Sequence, residues 1–245
     1  MKIKFVPIKT TMHDNSTYID LPVPATNLIP EWFKEMPQHM SGEKKDALFK
    51  FSNHATNTTV KACSPFLDGL SSGYIFTLPS DVEVRRTTDE HNLKFRYRVN
   101  EEIISNHDPI QHPGMPVPEG GQFSNVFKWS FPYRIITPKG YSMLFTHPLN
   151  RHDLPFRTFS GVVETDSYTL AVQFPFQFTK EFEKGDSYII KKGTPVVQMV
   201  PIKRDSWQSI RSKYDDRFVR NSLYQIGKTL YGGYKKLFWQ KKHYN

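Results

Sequence analysis

Thr137-Pro-Lys-Gly-Tyr-Ser142, Ser160-Gly-Val-Val-Glu-Thr-Asp-Ser-Tyr168 and Lys192-Gly-Thr-Pro-Val-Val-Gln-Met-Val-Pro201 decide how this chain folds. Each joins a Gly- or Pro-containing turn to a short apolar or β-branched run, the local signature of a strand entered through a tight turn. Similar runs recur on both sides. Tyr74–Leu78, Val82–Val84, Leu93–Val99, Val126–Trp129, Tyr133–Ile136, Ser142–Phe145, Phe159–Val163, Thr169–Val172, Tyr188–Ile190 and Val196–Val200 all read as strands. Turn signals fall roughly every ten residues between them, which predicts an all-β sandwich or barrel-like body. Asp108–Gly121 is too rich in Pro and Gly for a central ladder and reads as a long loop.

The flanks read differently. Asn27–Met36 predicts a short helix, with Pro30 at its first position, Pro37 ending it, and Trp32, Phe33 and Met36 on one stripe. Trp207, Ile210, Tyr214 and Phe218 recur at three and four residues, predicting a C-terminal helix capped by Asp205 or Ser206 and lying on the sheet body. The expected organisation is therefore an extension over 1–58, a β body over 59–204, and a helix with a basic aromatic tail over 205–245.

Composition narrows the function classes. The chain has 245 residues, one cysteine and a formal net charge of +9. Cys63 alone excludes an intramolecular disulfide or a multi-cysteine zinc site, and reads as a small buried residue in a reducing, cytoplasmic setting. Met1–Ile8 lacks the apolar run of a signal peptide, and no stretch is long and apolar enough to span a membrane. Between Arg211 and Lys242 lie nine basic residues against Asp215 and Asp216, so residues 1–210 are nearly neutral. The polyanion or acidic-protein partner that such charge suggests is therefore expected at the tail, where Phe238 and Trp239 either dock or stack on bases.

The three opening segments, in order and spacing, resemble the motifs of the dUTP pyrophosphatase and dCTP deaminase superfamily, whose architecture is the β-clip. Pro138-Lys-Gly140 matches its turn, Gly161-Val-Val-Glu164 its Gly-x-Ile-Asp, and Gly193 to Gln198 its closing turn; Ser72-Gly-Tyr-Ile75 matches an earlier Ala-Gly-Tyr-Asp. The likeness spans about residues 70–203. The chain also resembles a group of phage and marine bacterial proteins without an assigned activity. What the resemblance implies is a mainly β, β-clip-like antiparallel fold and a homo-oligomer, commonly a trimer, located in host cytoplasm or virion if phage-encoded. It implies a ligand site near Gly140, Gly161, Tyr168, Arg151 and Gln198.

The chemistry is where the chain departs from the family. Glu164 replaces the water-holding Asp, Tyr168 falls one residue late, Ile75 replaces an acid, and His147–Asp153 replaces the phosphate-binding Arg-Ser-Ser segment. Misplacing a catalytic group by an ångström costs roughly a hundredfold. The expectation is a non-catalytic binding or assembly protein without a cofactor. A divergent nucleotide-acting enzyme is the alternative, with Glu164 and Asp166 as its carboxylates and Mg as its ion. A second alternative is a jelly-roll metal-dependent oxygenase drawing on His107, His112, His147 and His152, although their spacing matches no metal motif. Arg151 and Asp153 are expected to pair with each other, and Glu164 and Asp166 to cap their own turn.

Overall fold

The structure, a computed structural model, describes residues 1–8, 20–38, 59–86, 93–99, 102–115, 126–179, 182–183, 185–228 and 233–244. The chain divides into two units: Met1–Ala25 with Gly73–Arg204, and Thr26–Ser72 with Asp205–Asn245.

The first unit is antiparallel β throughout its pairings, so the mainly β expectation holds. Its strands are β1 (Lys4–Pro7), β2 (Val23–Pro24), β3 (Tyr74–Thr77), β4 (Val82–Arg86), β5 (Leu93–Tyr97), β6 (Ile104–Asn106), β7 (Phe127–Ser130), β8 (Tyr133–Ile136), β9 (Tyr141–Thr146), β10 (Phe156–Thr158), β11 (Gly161–Val163), β12 (Gln173–Phe178), β13 (Ser187–Ile190) and β14 (Pro195–Lys203). They form sheets in the orders β11-β9-β14-β3-β2, β10-β12-β7-β6, β13-β4-β5 and β1-β8. β14 is central to the first sheet and buried along Pro195–Met199, hence its apolar run, which only Gln198 interrupts. Pro201 lies beyond the stretch of β14 paired with β3, where a missing N–H is tolerated.

The nineteen phenylalanines of the sequence explain the core. Trp129 stacks on Phe176 at 3.8 Å, Phe76 on Phe131 at 4.3 Å, and Phe127, Phe156, Phe174 and Phe178 fill the space around them. Such ring pairs add about 0.5–1.5 kcal/mol each beyond the area they bury. The Trp129 indole N–H donates to Thr158 Oγ1, whose hydroxyl donates to Val196 O, so these two buried polar groups are satisfied.

Three expectations about the body change. Residues 1–58 are not simply an extension, because β1 pairs with β8 and β2 with β3. The strand after Tyr168 is Gln173–Phe178 rather than Thr169–Val172, with Pro175 interrupting its apolar run in sequence. Residues 59–72 belong to the second unit and turn helical: a 3-10 turn at Val60–Ala62, capped by Thr59 Oγ1, leads into α2 (Ser64–Ser71), whose Pro65 suits a first turn. Cys63, between them, is exposed rather than buried. Strands β2 and β3 are joined only through this second unit: Pro24 pairs with Tyr74, and Ala25 N–H donates to Gly73 O at 3.0 Å.

In the second unit the Asn27–Met36 helix splits into a 3-10 turn at Ala25–Leu28 and α1 (Glu31–Glu35). Pro30 is the extended N-cap of α1, and it keeps Ile29 before it out of the helical region, which is where the expected helix divides. Phe33 is buried and stacks on Phe66 of α2. The C-terminal helix α3 is Asp216–Gly227, ten residues later than expected, with Asp215 Oδ1 accepting Phe218 N–H. Upstream, Asp205 and Ser212 make local side-chain-to-backbone bonds that compete with a helix. Trp207, Ile210, Tyr214 and Phe218 are 71–91% exposed. After α4 (Gly233–Leu237), Trp239 Nε1–H donates to Asp68 of α2, and Lys242 pairs with the same carboxylate. Residues 39–58 and 116–125 lie outside the described residues, and with them part of the expected Asp108–Gly121 loop.

Candidate functional site

Apart from His107 and His112, the predicted site residues gather in two places, at opposite ends of β9. At the Tyr141 end, the Pro138–Tyr141 turn requires a left-handed residue, and Gly140 supplies it at φ +83°. Its N–H donates to Asp166 Oδ2 at 2.9 Å. Arg204, just past β14, forks onto the same carboxylate through Nη1 and Nη2; Nη1 also donates to Ser142 Oγ and Tyr141 O, and its backbone N–H to Gly140 O. A buried Thr137–Thr165 hydroxyl bond of 2.7 Å fixes the Asp166 loop against this turn. The Arg204 guanidinium, then the Gly140 amide, hold the Asp166 carboxyl down at about 2.

Asp166 therefore caps the neighbouring Pro138–Tyr141 turn, which corrects the expectation that it caps its own. Its own turn is closed by backbone bonds, with Ser167 N–H and Tyr168 N–H donating to Glu164 O. The Glu164 side chain is exposed, and Tyr168 is 42% exposed. Arg204 was missed by sequence reasoning: nothing near Asp166 in the chain announces a partner 38 residues away.

At the Thr146 end lie Arg151, Gln198, His147 and Gly161. Gln198, buried on β14 opposite Thr146, accepts Leu149 N–H through Oε1 at 2.7 Å. Arg151 makes the expected ion pair, with Nε and Nη2 each 2.8 Å from Asp153. Gly161 sits on exposed edge strand β11 opposite Phe145. His147 bridges the loop: Nδ1 accepts Thr158 N–H, so Nε2 carries the proton it donates to Arg151 O at 2.8 Å. Burial first, then the nearby Arg157, His152 and Arg151 charges, lower its pKa. Both ring nitrogens are occupied, which makes it a poor metal ligand.

Five strand steps separate the two groups, roughly 17 Å. Glu164 and Asp166 thus do not share a site with Arg151 and Gln198 within one chain. His107 and His112 meet edge to face at 5.5 Å, and His112 Nε2 is buried without a hydrogen bond. Among the described residues no three His, Cys, Asp or Glu side chains converge as a metal site would require. An open cleft of about 640 Å³ lies elsewhere, over β13, β4 and β5, lined by Pro79, Asp81, Glu83, Arg96, Arg98 and Lys192 among others.

No protein-family model and no curated protein matches the sequence. Among solved structures the chain is similar to the EIAV dUTPase, at 10% identity and TM-score 0.31 over 60% of this chain and 86% of that one. It is similar also to the dUTPase of Staphylococcus bacteriophage 80alpha with dUpNHpp, at 14% and 0.32 over 60% and 78%. The dUTPase from phage phi11 of S. aureus gives 10% and 0.31 over 60% and 85%. At these values the overlaps assign no activity to this chain. Among the described residues no helix is long and apolar enough to cross a membrane.

Proposed function

We propose that this chain is a non-catalytic binding or assembly protein, built on a β-clip-like body and self-associating. The observation that carries the reading is the separation of the motif residues. Asp166 is held by Arg204 and Gly140, Arg151 by Asp153, and Gln198 by Leu149, at two ends of one strand. A triphosphate needs cationic donors converging on it beside a carboxylate free to take a proton. The Arg151 and Arg204 guanidiniums are instead engaged with carboxylates of their own chain.

Self-association is supported by α3 and the segment leading into it. Trp207, Ile210, Tyr214, Phe218 and Leu223 are all more than half exposed, and apolar exposure on that scale marks a protein-contact surface. Incubation with dUTP or dCTP and magnesium is the direct test. Pyrophosphate release is expected to stay at background; turnover that Glu164→Ala abolishes would establish the nucleotide-acting enzyme instead.

A further inference from the structure

The near-neutral charge of residues 1–210 conceals a strongly basic sheet face. In β13-β4-β5 the side chains alternate: Leu93, Phe95, Tyr97, Val82, Val84, Tyr188 and Ile190 join or pack against the core. The opposite face therefore carries Lys94, Arg96 and, one residue past β5, Arg98, all exposed. Register places Lys94 opposite Arg85, and Arg96 opposite Glu83. Lys191 and Lys192 extend the same side past the end of β13. Arg96, Arg98 and Lys192 line the open cleft over this sheet, with exposed Ile189 beside them.

Among the described residues, the acids on this face, Asp81 and Glu83, do not neutralise it. Asp81 accepts Lys192 N–H at 2.8 Å and Lys191 Nζ at 3.2 Å, so it is occupied by groups at the cleft rim. Glu83 lies 3.8 Å from Arg85 and 3.9 Å from Arg96, both exposed, and pairs of that kind contribute little. Lys94, Arg98 and the Lys192 ammonium make no ion pair among the described residues.

We propose that this face binds single-stranded nucleic acid through its phosphodiester backbone. Alternate β residues stand about 7 Å apart, so Lys94, Arg96 and Arg98 form a straight row of cations of the kind that tracks an extended strand. Exposed Ile189, which lines the same cleft, offers an apolar contact for a sugar or base. The inference is separate from the assembly reading, and from the basic tail.

Anisotropy of fluorescein-labelled oligo(dT) with the full chain, across a salt series, tests it. Binding at low salt is expected, with log affinity falling linearly with log salt by about 0.7 per phosphate contact, or roughly 2 for three contacts. Lys94→Gln with Arg98→Gln should weaken binding about tenfold and remove about 1.4 from the slope, whereas Lys235→Gln with Lys236→Gln in the tail should change neither. The charge-retaining Lys94→Arg with Arg98→Lys should bind as the parent does, which separates loss of charge from loss of fold. Absence of binding at low salt overturns the proposal. So does binding that survives the face variant and disappears with the tail variant, or displacement by dTMP at equal phosphate concentration, which would indicate a small-phosphate site.

Discussion

Gly73 occupies a position that no other residue fits. Its φ of +73° is left-handed, and a Cβ there would overlap the Met199 carbonyl of the neighbouring strand. Backbone, not a mobile side chain, stands in the way, so β3 and β14 must separate to admit it. Gly73→Ala is expected to cost more than about 4 kcal/mol and lower Tm by roughly 10 °C. Gly161→Ala, at an exposed edge position where a Cβ meets nothing, should leave Tm within a degree or two, roughly the surface-substitution range. Equal Tm values by calorimetry would contradict the argument. Gly140 and Gly193 were legible in the sequence as turn glycines, and Gly73 as part of the Ser72–Ile75 motif. That Gly73 is irreplaceable was not, because the obstacle comes from a strand more than a hundred residues away.

The elements that sequence located well are those whose periodicity and turns are local. β3, β8 and β9 stand within a residue of expectation, since their apolar runs are flanked by Gly or Pro. β12 was lost behind Pro175, and α3 was placed too early, because Trp207 and Ile210 keep a helical spacing over a segment that does not coil. The β9–β10 loop yields a pH prediction. His147 is held neutral with a lowered pKa, so the unfolded chain takes up its proton first as pH falls. Its contribution is complete above about 6.5 and is lost as pH falls below that value toward the folded pKa. Asp166 adds a lower limb, full above its ordinary 3.8 and lost as pH falls toward about 2. Urea unfolding at a series of pH values should show the upper limb in the parent and not in His147→Gln; identical profiles would remove His147 as its source.

For the whole molecule, assembly state is the measurement that matters most. Sedimentation velocity at micromolar concentration is expected to find a homo-oligomer, and Trp207→Ser with Phe218→Ser should shift it toward monomer without changing the far-ultraviolet circular dichroism of the β body. A parent that stays monomeric at micromolar concentration would defeat the self-association proposal. Charge is the property least visible at this scale from sequence. Summing over 1–210 averages a basic outer sheet face against acids elsewhere, and only strand register reveals that Lys94, Arg96 and Arg98 share a side with Arg85.

The β2–β3 pairing has a topological consequence. Because Ala25 and Gly73 are joined by a backbone hydrogen bond, residues 26–72 stand where a hairpin would have its loop. The entropic cost of closing a loop rises only with the logarithm of its length, by about 0.6 kcal/mol per doubling. An insert at this port can grow, shrink or be exchanged over generations while the ladder on either side keeps its register. Novelty in such a lineage would accumulate between Ala25 and Gly73 long before it reached the strands.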